Sequence, residues 1–154
     1  MKKYLIVFLI SMVPIIELRG AIPYAATQGL PFGWAYVLSV VGNMLPVPFI
    51  LWLVPAVFAF MRRHNILVKM VDWLENKAQK GAQRIEKYAV FGLFLFVAIP
   101  LPGTGAWTGG LAAAVFGMKK SWALLSIFLG VLTAGVIMTL ASYGIVGAFK
   151  FFAK

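Results

Sequence analysis

The sequence predicts an all-α integral membrane protein: two inverted repeats, each a re-entrant helical hairpin plus a transmembrane helix, joined by an amphipathic interfacial helix. Three observations carry that expectation. The composition is too apolar for water, the charges leave two long neutral halves, and those halves match each other at one fixed offset. Of 154 residues, 62% are hydrophobic and only 12% charged, and the mean hydropathy is +0.94. A soluble domain carries about a quarter charged residues, so in water most of this chain's apolar surface would stay uncovered. The apolar runs are long, unlike the short alternating segments of a transmembrane β-barrel. The length suits a single membrane domain over residues 1–154. Cysteine is absent, which excludes disulfides and thiolate metal sites.

Charge sets the internal boundaries. Residues 4–61, the first repeat, hold only Glu17 and Arg19 as charges, and residues 88–149, the second, hold only Lys119 and Lys120. The connector, residues 62–87, holds seven basic and three acidic side chains. In it Leu67, Val71, Leu74, Ala78, Ala82 and Ile85 recur every three or four residues, opposite Lys69, Asp72, Lys77, Lys80, Arg84 and Lys87. That pattern is an amphipathic helix lying on the membrane surface, where Arg62, Arg63 and Lys69 suit anionic lipid head groups. A solvated linker helix is the plainer alternative, and Gly81 is a place where the helix would break. Met1-Lys2-Lys3 before the apolar run Tyr4 to Val13 has the charged and apolar parts of a secretory signal, but no small-residue cleavage site follows. The segment is expected to stay as structure.

A shift of 88 residues lays Pro14 on Pro102, Gly29 on Gly117, Trp34 on Trp122 and Gly42 on Gly130, with Ala25, Ala26 and Ala35 on Ala113, Ala114 and Ala123. Each unit opens with an apolar run broken near its middle. In the first, Leu5–Val13 meets Pro14 and then Glu17-Leu18-Arg19-Gly20-Ala21-Ile22-Pro23. In the second, Val90–Ile99 meets Pro100-Leu101-Pro102-Gly103-Thr104-Gly105. A bilayer crossing takes about 20 residues of helix, and the pieces beside each break are roughly half that. Proline removes a backbone donor and glycine favours turns, so the breaks expose polar backbone that cannot face lipid. Two re-entrant hairpins meeting near the midplane satisfy that constraint; a pair of kinked spanning helices is the alternative. Broken segments at matching places in two repeats also point to a transporter's binding site. After each hairpin a run long enough to cross follows, Phe32 to Met61 and Ser121 to Phe149, the first kinked by Pro46, Pro48 and Pro55.

A hairpin returns to its own side and the next helix crosses once, so the second unit is inverted relative to the first. The connector with Lys119 and Lys120 then shares one face, and the termini, with Lys2, Lys3, Lys150 and Lys154, share the other. The positive-inside bias places residues 62–87 in the cytoplasm of a multi-pass protein of the bacterial inner membrane.

Glu17 and Arg19 are the charges at membrane depth, where ionisable groups are costly and point to function. Arg19 offers forked donors to a phosphate or carboxylate. Glu17 would exchange a proton, couple to sodium, or pair with Arg19 as a structural fastening. The second tip is uncharged: Pro100, Pro102, Gly103, Thr104, Gly105, Trp107 and Thr108 offer hydroxyls, an indole and backbone amides of the kind that bind anions at helix starts. Gly20 and Pro23 complete the first tip. Asn43 is a lone polar group in a crossing helix, where a structural hydrogen bond is the expected job. No cofactor is expected, because no metal-ligand cluster, catalytic triad or phosphate loop is visible. An enzyme is therefore the least expected class, and nucleic acid is a poor partner for so apolar a chain. The glycine-rich last helix would pack within one chain or against a second copy as a homodimer.

Glu17-Leu18-Arg19-Gly20-Ala21-Ile22-Pro23, with Pro100-Leu101-Pro102-Gly103-Thr104-Gly105-Ala106-Trp107-Thr108-Gly109, resembles the bacterial family of small multidrug export proteins over nearly the whole chain. More distantly, the order of hairpin, glycine-rich helix, basic stretch, hairpin and glycine-rich helix resembles the DedA superfamily. Ser142-Tyr143-Gly144 with Gly147 is similar to the end of that superfamily's last core helix. That likeness implies paired re-entrant hairpins and ion-coupled movement of a polyprenyl-phosphate lipid carrier. Glu17, three residues after Pro14, stands where those proteins have an acidic residue. Their second hairpin typically carries an arginine, and here Thr104-Gly105 occupies the place, so the resemblance leaves Arg19 to supply the positive charge from the first hairpin. Taken together, the expectation is a small secondary transporter or flippase, with a cationic-drug exporter and a non-transporting membrane scaffold as the rivals.

Overall fold

Prolines and glycines punctuate the described residues into the helices α1 Lys2–Met12, α2 Glu17–Thr27, α3 Phe32–Met44, α4 Pro46–Arg63, α5 Glu86–Ala98, α6 Ala106–Val115 and α7 Lys120–Phe152. The computed structural model describes residues 1–66, 68–73, 76 and 86–152, and among these no strand occurs. A short helical stretch over 68–73 lies between α4 and α5. Pro46 begins α4 two residues after α3 ends, with only Leu45 between them, while Pro55 sits inside α4 without ending it. Together α3 and α4 form one apolar stretch, Phe32–Arg63, and this and α7 are long and apolar enough to cross a membrane. The arms of the two hairpins are much shorter. α1 and α2 have 11 residues each, and α6 has 10. At 1.5 Å per residue that is about 15 to 17 Å, roughly half of a hydrocarbon core.

The residues matched at the offset of 88 do the same local work in both halves. α2 and α6 end in the same left-handed glycine turn: Gly29 has φ 70° and Gly117 φ 64°. In the first, the Leu30 amide donates to Ala25 O (3.0 Å) and the Gly29 amide to Ala26 O (3.1 Å). In the second, Met118 donates to Ala113 O (3.0 Å) and Gly117 to Ala114 O (3.2 Å). Only a residue without Cβ adopts that φ at no steric cost. Gly42 and Gly130 each let a long helix approach the first helix of its own hairpin. A Cβ on Gly42 would lie 2.7 Å from Phe8 O of α1, and one on Gly130 3.0 Å from Phe94 O of α5. The packing follows suit, with α3 on α1 and α2, and α7 on α5 and α6. α2 also leans on α7, and α6 on α4.

One core, including Leu18, Ile22, Val47, Val97, Ala106, Ile127 and Val131, joins the second arm of each hairpin to both long segments. A smaller cluster of Val7, Ala21, Ala25, Leu30 and Ala35 closes the first half. Outside this core the surface is apolar too: Phe49, Trp52, Tyr88, Phe91 and Leu140 are each more than half exposed. Such a surface costs free energy in water and none in hydrocarbon.

The residues at one end of the molecule identify its two sides. The Lys3 ammonium donates to Gln28 O (3.4 Å), Tyr4 packs edge-on against Trp34, and the Tyr143 hydroxyl of α7 donates to Leu30 O (2.7 Å). The chain start, the α2–α3 turn and the far half of α7 therefore share an end. Of the expected connector helix, Val71 is fully buried and Arg62 pairs with Asp72 at 3.0 Å. Arg62 and Arg63 belong to the last turn of α4. Leu67, Leu74, Ala78, Ala82, Ile85, Gly81, Lys77, Lys80 and Arg84 lie outside the described residues.

Candidate functional site

The two hairpin tips meet, and their chemistry is unlike. The first tip is short, residues 13–16, and it and the helix start after it hold side chains in conformations they rarely adopt: Ile15 has φ 76° and Glu17 φ 51°. A β-branched residue at positive φ is sterically costly. The second tip, residues 99–105, is longer and bends at glycine, with Gly103 at φ 84° and Gly105 at φ 156°. The first break is narrower than the sequence motif, because the helix resumes at Glu17. Gly20 and Pro23 thus lie inside α2 rather than in the tip.

That early restart decides where the charges point. Glu17 occupies the first position of α2 and is 3% exposed. Its carboxylate accepts from the backbone amides of Ala106 (3.3 Å, Oε2) and Trp107 (3.1 Å, Oε1), the first two residues of α6. A helix start has four amides without intrahelical partners and a partial positive charge. Glu17 therefore caps a helix 89 residues away in the chain. Gly105, the residue before that helix, makes the approach possible, since a Cβ there would overlap the carboxylate.

Arg19, two residues on and half-buried, reaches the other end of the same break. Its guanidinium donates to Leu101 O, to Ile99 O (3.4 Å) and to Thr104 Oγ1 (2.8 Å). These carbonyls lie just past the end of α5, where the helix dipole is negative. The Thr104 hydroxyl is also within hydrogen-bond distance of Ile99 O (2.8 Å) and Leu101 O (2.9 Å), which fixes the loop that Arg19 grips. A bond returns in the opposite direction: Trp107 Nε1 donates to Met12 O (3.1 Å), the last carbonyl of α1. Each hairpin thus satisfies backbone groups that the break in the other leaves open. Glu17 and Arg19 do not bond to each other, so the structural ion pair between them is replaced by two separate attachments to the opposite hairpin.

Of the residues singled out in the sequence, Glu17, Arg19, Thr104, Gly105 and Trp107 come together. Pro100, Pro102 and Gly103 shape the second loop. Thr108 turns back on its own helix, its hydroxyl within 3.4 Å of Gly105 O. Asn43 departs from expectation: it is 1% exposed and neither its amide oxygen nor its amide nitrogen has a partner. Sequence reasoning missed Ala106 and Met12, which act only through backbone atoms and carry no side-chain signal. Among the described residues no cluster of His, Cys, Asp or Glu suited to a metal is present.

The family model described as Putative small multi-drug export protein matches residues 17–137, a stretch that begins at Glu17 and takes in α2, with Arg19, and the second tip. Neither curated proteins nor solved structures give a match.

Proposed function

This chain belongs to the Putative small multi-drug export protein family, and from that premise we propose that it is a small secondary transporter or flippase whose site lies between the two hairpin tips. The single observation that carries the reading is the reciprocal attachment at the tips, Glu17 on the start of α6 and Arg19 on the end of α5. Discontinuous helices whose ends are held by charged groups, at the interface of two repeats, are how transporters bind polar cargo at membrane depth. A purely structural chain has little reason to place two ionisable groups there.

In this reading the chain is one membrane domain, and residues 4–61 and 88–149 are inverted repeats with re-entrant hairpins. The matched glycine turns support the duplication, and the half-length arms support re-entry. The connector is cytoplasmic, both termini are on the outer side of the inner membrane, and membrane lipids are constant partners. Arg19 is the anchor for an anionic group. It sits against Thr104, at the place where the DedA superfamily carries an arginine and this chain does not, and this supports a polyprenyl-phosphate lipid carrier as substrate. An arriving phosphate takes over the guanidinium donors now spent on Ile99 and Leu101, which frees the second tip to move. Glu17 is the coupling group: when its charge is neutralised its hold on α6 weakens, and the two hairpins separate together.

The family's description favours a second reading, export of cationic drugs, in which Glu17 attracts the cation and Arg19 gates it. Flux in proteoliposomes decides between them. Labelled polyprenyl phosphate and a cationic dye are followed side by side, with and without a proton gradient, for the native chain, Glu17→Gln and Arg19→Ala. Lipid flux that needs Arg19 and loses its gradient response in Glu17→Gln supports the flippase. Dye flux alone supports the exporter. Neither flux, with both variants folded and inserted, leaves a scaffold.

A further inference from the structure

Among the described residues four buried side-chain atoms have no partner: Asn43 Oδ1, Asn43 Nδ2 and Ser39 Oγ on α3, and Ser126 Oγ on α7. Both α3 residues are closed to solvent, Ser39 at 0% and Asn43 at 1% exposure. Ser39 and Asn43 stand one turn apart on the buried face of α3, which also carries Ala35 and Gly42. Their depth and facing follow from neighbours. Ala35 clusters with Ala21 and Ala25 of α2, which runs antiparallel to α3. Two turns further along α3, the place of Gly42 lies against Phe8 O and Ser11 of the last turns of α1. Moving from Ala35 to Asn43 therefore moves from the middle of α2 to its first turn, where the buried Glu17 carboxylate sits. α2 and α7 flank this face of α3, since Tyr36 donates to Leu132 O of α7 (3.1 Å).

Buried polar groups go unpaired only rarely, because the desolvation of each is uncompensated. Glu17 lies one and two turns before Ala21 and Ala25 on α2, and Ser39 and Asn43 one and two turns after Ala35 on α3, so the register in which those alanines cluster turns an amide oxygen, a hydroxyl and one carboxylate toward the same seam, with a single negative charge. Oxygen donors suit hard cations, and one carboxylate suits a monovalent ion better than a divalent one. The amide nitrogen needs an acceptor, and a water carried by the ion provides it. We propose that Ser39, Asn43 and Glu17 enclose a binding site for a small, partly hydrated monovalent cation, sodium in the first instance. The site deepens the transport reading by giving the coupling ion a place, and it rests on that reading for its purpose. Occupied, it neutralises the Glu17 carboxylate from the α3 side and loosens its hold on the Ala106 and Trp107 amides. Ion binding on one face of α2 is thus communicated to the second tip through one side chain.

The test reads binding rather than flux, so its failure is distinct from the failure of transport. The purified full chain is unfolded thermally in sodium, potassium and choline chloride at equal ionic strength, with radioactive sodium binding measured alongside. The expected result is a stabilisation specific to sodium, saturating with concentration. Asn43→Leu abolishes the sodium-specific shift yet unfolds in choline at or above the native temperature, because its unpaired amide is gone. Ser39→Ala, the milder change, keeps the shift but moves half-saturation to higher sodium. Equal shifts in the three salts, with no sodium retained, overturn the site and leave an internal water as the partner of Asn43. Sodium binding unaffected by Asn43→Leu and Ser39→Ala overturns it equally.

Discussion

The first hairpin tip, taken with the start of α2 as far as Arg19, carries two charges, no glycine and two non-glycine residues at positive φ. The second carries no charge, bends at Gly103 and Gly105, and presents bare helix ends. The two are built from matching prolines, Pro14 and Pro102, yet they have become complementary rather than alike. A break in a helix creates one positive and one negative dipole end. The first tip supplies a counter-charge to each end, and the second returns one indole donor to the end of α1. The lesson is that two similar breaks need not be filled symmetrically. One can use side chains and the other backbone, and the contact between them then locks only in this pairing.

That division of labour is broken most completely at Gly105. Gly105→Val places a branched side chain where the Glu17 carboxylate lies, at a φ that disfavours any Cβ. The protein is expected to lose its monodisperse peak in detergent size-exclusion chromatography; a native profile would mean that the tips do not meet as described. Next comes Glu17→Leu, which strips the Ala106 and Trp107 amides of a charged acceptor. Hydrogen bonds to charged groups contribute about 1.5–3 kcal/mol each. Loss of two predicts a destabilisation of about 3 kcal/mol or more, read as a lower denaturant midpoint, with Glu17→Gln recovering part of it.

Arg19→Met is expected to cost less, about 1 kcal/mol, because the guanidinium is half-exposed and its acceptors keep Thr104. If Arg19 and Thr104 act as one grip, Arg19→Met combined with Thr104→Val falls short of or exceeds additivity, and a double-mutant cycle in thermal unfolding measures the coupling. The smallest effect belongs to the returning bond. Trp107→Phe keeps the ring and loses the donor to Met12 O, for about 0.5–1.5 kcal/mol. Its stability would be unchanged if the two hairpins were joined in one direction only.

Much of the helix layout was legible along the chain. The hairpin arms, the two long apolar stretches and the end glycines Gly29 and Gly117 all follow from local chemistry, because proline removes a donor and glycine tolerates left-handed backbone. The matched Gly42 and Gly130 also showed themselves, though why they recur became clear only from the carbonyls of Phe8 and Phe94 beside them. The charged pair stood out in the sequence, but its wiring did not. In sequence Glu17 and Arg19 are two residues apart and read as partners. In space each bonds about 80 to 90 residues away, because the helix restarts at Glu17 and turns the two side chains toward different ends of one break. Backbone partners such as Ala106 and Met12 leave no trace in residue identity, since every residue has the same amide and carbonyl.

By itself, then, the sequence determined how apolar the protein's surface would be, the places where its helices stop, and which charges stand inside the apolar halves. These are set by side-chain transfer free energies and by the local limits on φ, which need no neighbours. The tertiary structure decided which dipole end each charge serves and left the Asn43 amide without a protein partner. Those outcomes depend on the direction in which packed helices bring distant backbone groups together.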